Sequence, residues 1–153
     1  MKKFIVSLLI TGVIFTMSGC GNDKNTAFKQ EVNQHLILVK NDINGFKENH
    51  LKYFQSNGEK VYGDELTKHL NNLQMDLSFF TNLPLMSPKV PEDYREDYKK
   101  VLKGVEEELL AIMRYGDWLK KPIEQNRAIW DKHLKDGEDY LFNNNLYMEE
   151  RNR

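Results

Sequence analysis

Large apolar residues recur along most of the chain at alternating intervals of four and three, the spacing of one face of an α-helix. The first series is Val32, Leu36, Val39, Ile43, Phe46, His50 and Tyr53, which predicts a long helix from Thr26 with a bundle-type seam. Gly45 falls inside this helix and weakens it by about 1 kcal/mol without ending it. The first stop is Ser56-Asn57-Gly58, followed by a polar turn to Gly63. A second helix is predicted from Asp64, an acidic residue able to cap the next backbone N–H groups, with Leu66, Leu70, Leu73, Leu77 and Phe80 facing inward. Pro84 and Pro88 end it, because proline neither donates a backbone hydrogen bond nor continues the turn, and residues 81–90 become a connector.

Pro91 suits the first position of a third helix, with Glu92 and Asp93 at the positive end of its dipole. Its apolar face reads Tyr94, Tyr98, Val101 or Leu102, Val105, Leu109 and Ile112, and it slips by one residue between Val101 and Leu109 in the manner of a stutter. Gly116 is expected to cap it. Trp118 and Leu119 either continue a helix kinked at Pro122 or belong to a loop. A fourth helical pattern from about Pro122 carries Ile123, Trp130, Leu134, Gly137 and Leu141, and it decays in Asn143-Asn144-Asn145. The predicted fold is all-α: an antiparallel, up-and-down bundle of about four helices over residues 26–148, with a frayed tail over 149–153. A three-helix arrangement with one long helix kinked near Pro122 is the alternative.

The amino terminus has a different pattern. Met1-Lys2-Lys3 is basic, and Phe4 to Met17 is an apolar run interrupted only by Ser7, Thr11, Gly12 and Thr16. A bilayer core needs about 20 apolar residues, so this run has the length of a signal-peptide core and not of a durable transmembrane helix. It ends in Met17-Ser18-Gly19-Cys20, where two small residues stand directly before a cysteine. This segment resembles the lipobox of bacterial lipoproteins, with Met17 where Leu is most common. The resemblance implies a leader over residues 1–19, a thioether-linked diacylglycerol on Cys20 with or without an N-acyl group, and a tether over 20–25 that holds the domain close to the membrane. Residues 1–20 carry this likeness, and the rest of the chain is similar only in build to small helical lipoproteins.

Charge and composition narrow the function. The chain has 22 Lys+Arg and 23 Asp+Glu; losing Lys2 and Lys3 with the leader leaves 20 basic against 23 acidic residues, a net charge of −3. That balance lacks the basic footprint of a nucleic-acid binder. The single Cys cannot form an internal disulfide, so packing alone holds the fold. Only three alanines follow the leader, Ala27, Ala111 and Ala128, which predicts helices spaced apart by large side chains. The 17 Lys against 5 Arg and the 15 Asn are a bias common in AT-rich genomes, and they direct the expected location to the outer face of a Gram-positive cell membrane.

Residues able to carry chemistry are sparse. No H-E-x-x-H or paired C-x-x-C spacing announces a metal, no G-x-S-x-G elbow surrounds a serine, and no glycine-rich phosphate loop is present. Glu31 with His35 and Glu65 with His69 are spaced as surface pairs on one helix face, and Glu106-Glu107-Glu108 reads as a solvated acidic face. His50 holds a seam position, and with Tyr53 and Trp130 it forms the candidate ligand pocket. Phe79, Phe80, Leu83, Leu85 and Met86 concentrate more apolar material at the end of the second helix than a connector needs, and they form the candidate partner surface. Val61 and Tyr62 in the other turn raise the same expectation. The reading is therefore a non-enzymatic, lipid-anchored extracytoplasmic module that binds another envelope protein, with no metal and no cofactor besides the lipid. The alternative is a binder of lipid, haem or metal in the bundle core.

Overall fold

A computed structural model describes residues 23–148. The leader, the cleavage motif Met17, Ser18 and Gly19, the lipid attachment at Cys20 and the tail over 149–153 lie outside the described residues. Four helices form the domain: α1 over Asp23–Gln55, α2 over Lys60–Thr81, α3 over Arg95–Lys120 and α4 over Glu124–Phe142. Among the described residues there is no strand, and the chain is an all-α bundle.

Ring contacts set the directions. Phe28 near the start of α1 touches Tyr98 near the start of α3, and Phe54 at the end of α1 touches Trp118 at the end of α3, so these two helices run parallel. His69 of α2 meets Asp42 of α1 while Phe79, farther along α2, meets the earlier His35, and Trp130 near the start of α4 meets Trp118 at the end of α3 while the later His133 meets Glu107, so α2 and α4 run the opposite way. The result is up-down-up-down. α1 packs lengthwise on α2 and α3 on α4, while α1 and α3 face each other diagonally across a core of large rings.

The seam of α1 is buried as its spacing predicts, from Val32 through Leu36, Val39 and Ile43 to Phe46. Leu66, Leu73, Leu77 and Phe80 close over it from α2. The turn between them is the Ser56-Asn57-Gly58 stop. Asn57 and Gly58 take positive φ of 58° and 89°, and the Gly58 N–H donates to the Tyr53 carbonyl at 2.8 Å. This is a left-handed exit from a helix, for which Asn and Gly carry the smallest steric penalty.

Boundaries differ from the sequence reading in several places. α1 begins at Asp23, so residues 23–25, expected in the tether, are helical. α2 begins at Lys60, a turn before the expected Asp64 cap; Asp64 instead pairs with Lys60 inside the first turn. Pro91 precedes a single 3-10 turn, Glu92–Tyr94, that leads into α3. Gly116 does not cap α3, which continues through Trp118 and Leu119 to Lys120. A short turn holding Pro122 then separates α3 from α4, so neither the kinked helix nor a loop at Trp118 is formed.

The stutter expected in α3 is also absent. The buried series runs Tyr98, Val101, Val105, Glu108, Tyr115 and Trp118, with Ile112 partly buried between, and once Glu108 is admitted it alternates threes and fours from Tyr98 to Tyr115. Beyond α4 the asparagine run makes a turn, in which the Asn144 side-chain oxygen accepts the Leu146 N–H at 2.8 Å. Leu146 returns to the core with no exposed surface. The Met148 N–H then donates to the Asn33 side chain at 2.6 Å, and Lys40 donates to the Tyr147 hydroxyl at 2.9 Å.

Close backbone approach comes from glycine where alanine is scarce. A Cβ on Gly104 would lie 2.7 Å from Leu141 Cγ, and one on Gly137 would lie 2.5 Å from Glu108 Oε1. A Cβ on Gly45 would lie 2.6 Å from His69 Nδ1 and closer still to Cε1 and Nε2 of that ring. The expectation of widely spaced helices therefore fails at these three positions, two on the α3–α4 pair and one on the α1–α2 pair.

Candidate functional site

The two interhelical turns share the end of the bundle opposite the start of α1, and His50 sits just beneath them. Its ring lies 4.9 to 6.0 Å, centroid to centroid, from Phe46, Phe54, Tyr115, Trp118 and Trp130. His50 Nδ1 and the Tyr115 hydroxyl are hydrogen-bonded at 2.9 Å. Burial lowers the His50 pKa; Arg127 adds to that effect and Asp131 opposes it. A neutral imidazole among aromatic faces is what this environment favours.

Of the three residues expected to line a ligand pocket, His50 and Trp130 are in ring contact. Tyr53 turns instead to the α1–α2 turn, where its ring lies over Gly58 and Gly63 and against Phe54. The space about His50 is filled by the rings themselves. Below it, a void among Phe46, Leu73, Tyr115, Trp130 and Leu134 lets the centre of a water-sized sphere sweep only about 10 Å³. A haem or an acyl chain would have to displace the core to enter.

The connector cluster is divided by burial. Phe80 is entirely buried and Phe79 stacks face to face on His35 with centroids 3.7 Å apart, so neither serves as an open partner surface. Leu83 and Leu85 are half-buried against the core, and the Leu83 carbonyl accepts a hydrogen bond from the Tyr98 hydroxyl at 3.0 Å. Only Met86, 75% exposed, stands free of the fold. At the opposite end the balance is reversed: Leu51 and Phe54 near the end of α1, Val61 at the start of α2, Leu119 at the end of α3 and Ile123 in the turn before α4 are each at least 40% exposed. Tyr62 beside Val61 is half-buried. The sequence signal for this end was the Val61–Tyr62 pair; Leu51 and Leu119 could have been found as apolar positions off their helices' seams.

Polar groups also pair across helices, and sequence spacing within one helix does not reveal it. His69 bonds Asp42 at 2.8 Å and not Glu65, which pairs with Lys68. Asn72 and Asp76 complete this group on α2, and burial together with a hydrogen bond to Asp42 pushes the Asp76 carboxyl up to about 6. Glu107 bonds His133 at 2.7 Å. The acidic run on α3 is thus divided: Glu106 is exposed, Glu107 braces α4, and Glu108 is wholly buried with neither oxygen hydrogen-bonded to the protein. Burial pushes the Glu108 carboxyl up to about 9, Glu138 adds to the rise and Lys47 opposes it.

Among the described residues no three acidic, His or Cys side chains are arranged to hold a metal, and no helix is long and apolar enough to cross a membrane. In class this is a four-helix up-and-down bundle with an apolar turn end and a polar residue at the centre of its core. The chain matches no known protein family, no curated protein and no solved structure at a significant level.

Proposed function

We propose that this chain is a lipid-anchored, extracytoplasmic helical module that binds another protein of the cell envelope without enzymatic chemistry, and that the turn end of the bundle is its contact surface. The observation that carries the reading is the gathering of Leu51, Phe54, Val61, Leu119 and Ile123 at that end, while the apolar material of the connector is largely buried. Apolar surface concentrated on one region is the ordinary mark of a docking site.

The lipobox likeness supports the orientation. Two residues, Gly21 and Asn22, separate Cys20 from the start of α1, so an acylated Cys20 would hold that end at the headgroups. α1 has 33 residues and spans about 50 Å at 1.5 Å per residue, which would carry the turn end well clear of the membrane.

Crosslinking in intact cells followed by affinity capture tests the reading. One dominant envelope protein should be captured by the natural chain and by Met86→Asp, and lost from a Leu51→Asp, Leu119→Asp double variant that keeps its helical circular dichroism. Capture that survives in the double variant and disappears in Met86→Asp would transfer the contact to the connector.

A further inference from the structure

The dipeptide Asn-Gly occurs twice in the chain, as Asn44-Gly45 and Asn57-Gly58, and the fold treats the two differently. In this pair the main-chain nitrogen of the second residue reaches the side-chain amide carbon of the first with the least hindrance, because glycine has no Cβ in the way. Both asparagines are exposed, so access to water does not distinguish them. Asn44 and Gly45 lie in the interior of α1, where each backbone N–H belongs to the i→i−4 ladder. The His69 ring packs directly against Gly45, and the Asn49 side chain donates to the Gly45 carbonyl at 2.9 Å. Asn57 and Gly58 stand outside both helices, in the exposed turn between Gln55 and Lys60. There the Gly58 N–H donates to the Tyr53 carbonyl at 2.8 Å and the Asn57 N–H to the Phe54 carbonyl at 3.4 Å, the bond pattern that ends many helices. The Gly58 nitrogen is thus held by one hydrogen bond at a helix end, where opening costs far less than in a helix interior.

We propose that Asn57 is a site of spontaneous covalent modification, deamidation through a succinimide, and that the fold confines this chemistry to Asn57 by holding Asn44 inside α1. Opening of the turn releases the Gly58 N–H from Tyr53, and its proton passes to a base in the solvent. The Gly58 nitrogen then attacks Asn57 Cγ: the N–Cγ bond forms, the Cγ–Nδ2 bond breaks, and Nδ2 leaves as ammonia. Water adds to one of the two carbonyls of the resulting ring. Cleavage between Cγ and the nitrogen leaves an aspartyl residue at position 57, and cleavage between the main-chain carbonyl carbon and the nitrogen leaves an isoaspartyl residue. One water is consumed and one ammonia released, with no change of oxidation state. Either product places a carboxylate on the turn that joins Phe54 to Val61, both exposed at that end of the bundle. The isoaspartyl form also adds a methylene to the main chain inside the loop that the Gly58–Tyr53 hydrogen bond closes. The site stands independently of the anchoring and partner readings above.

Incubation of the full chain in mildly alkaline buffer, followed by peptide mapping with mass spectrometry, tests the site, with Asn44 as the internal comparison. Each converted peptide gains the mass of water less that of ammonia, and enzymatic methylation of isoaspartyl carboxylates identifies the rearranged product. In the folded protein Asn57 should convert at least about tenfold faster than Asn44, as expected of a helix end against a helix interior. In concentrated urea, where neither dipeptide keeps its structure, the two rates should converge. Asn57→Gly, which retains a residue tolerant of positive φ, should remove the isoaspartyl signal and leave the helical circular dichroism unchanged. Equal rates at the two positions in the folded protein overturn the proposal, and so does a folded protein in which Asn57 stays unmodified. A rate gap that persists in urea overturns it too, because neighbouring sequence and not the fold then selects the site. An isoaspartyl signal that survives in Asn57→Gly places the modification elsewhere.

Discussion

With no solvent contact and no protein partner for either oxygen, Glu108 is stable in the native protein as the neutral acid, and its carboxyl is held up near 9 against about 4.5 in a free chain. The native state therefore binds a proton that the unfolded state has released over that interval, and stability contributed below pH 4.5 is lost as pH rises through 9. Between pH 4.5 and 7 this linkage amounts to about 3 kcal/mol. Glu108→Gln should remove that slope: urea unfolding at pH 5 and pH 8 is expected to show the variant gaining on the natural protein at the higher pH. Equal differences at both pH values would show that Glu108 is ionised in the native state. The glycines give a second residue-scale prediction. At Gly45 an added methyl meets the His69 ring, and Gly45→Ala should cost about 1–3 kcal/mol by overpacking and by disturbing the bond to Asp42. Gly116 has nothing within 4 Å of an added Cβ, so Gly116→Ala should stabilise α3 by about 0.5–1 kcal/mol. Thermal unfolding of the two variants is expected to move in opposite directions.

Helix α2 and the connector behind it illustrate how one apolar cluster is divided between core and surface. Phe80 is packed under α1 and α3 with no exposed area, whereas Met86 six residues later is 75% exposed. Phe80→Asp should abolish the cooperative unfolding transition, since it introduces a charge and removes a large ring from the core. Met86→Asp should leave the melting curve within about 0.5 kcal/mol of the natural protein. Equal tolerance of both substitutions would show that the end of α2 is not packed as described. Each helical hairpin also has its own acid–imidazole brace, Asp42 with His69 and Glu107 with His133, placed between adjacent helices and not along one.

At the scale of the molecule, two tightly packed hairpins meet mainly through side chains, and the large rings of Phe46, Tyr115 and Trp130 fill the space between them. The amino-terminal end of α1 and the apolar turn end lie at opposite poles, which is the arrangement a tethered module would use to face outward. Cys20→Ala should shift the protein from the membrane fraction to the soluble or unprocessed fraction while leaving its helical circular dichroism unchanged. Continued incorporation of labelled palmitate in that variant would falsify the lipid anchor.

The helical class and the seams of α1 and α2 follow from periodicity alone, because the burial of Val32 to Phe46 and of Leu66 to Phe80 depends on a repeat that each segment carries within itself. The Asn57–Gly58 turn is equally local, being a matter of which residues tolerate positive φ. What tertiary structure decided was the fate of residues whose character conflicts with their neighbourhood. A glutamate is expected in water, so the α3 seam looked broken until packing against Gly137 placed Glu108 inside it. Gly45 looked like a weakness until the His69 ring of another helix occupied the space it leaves. Phe79, off the α2 seam, looked like surface because the His35 ring of α1 on which it stacks is not encoded within α2. Gly116 and the residues to Lys120 stay helical because Trp118 is buried against rings from α1 and α4, a contact that outweighs the local helix-ending preference of glycine. Periodicity reports a residue's own helix; only the arrangement of the other three decides which side chains share the core.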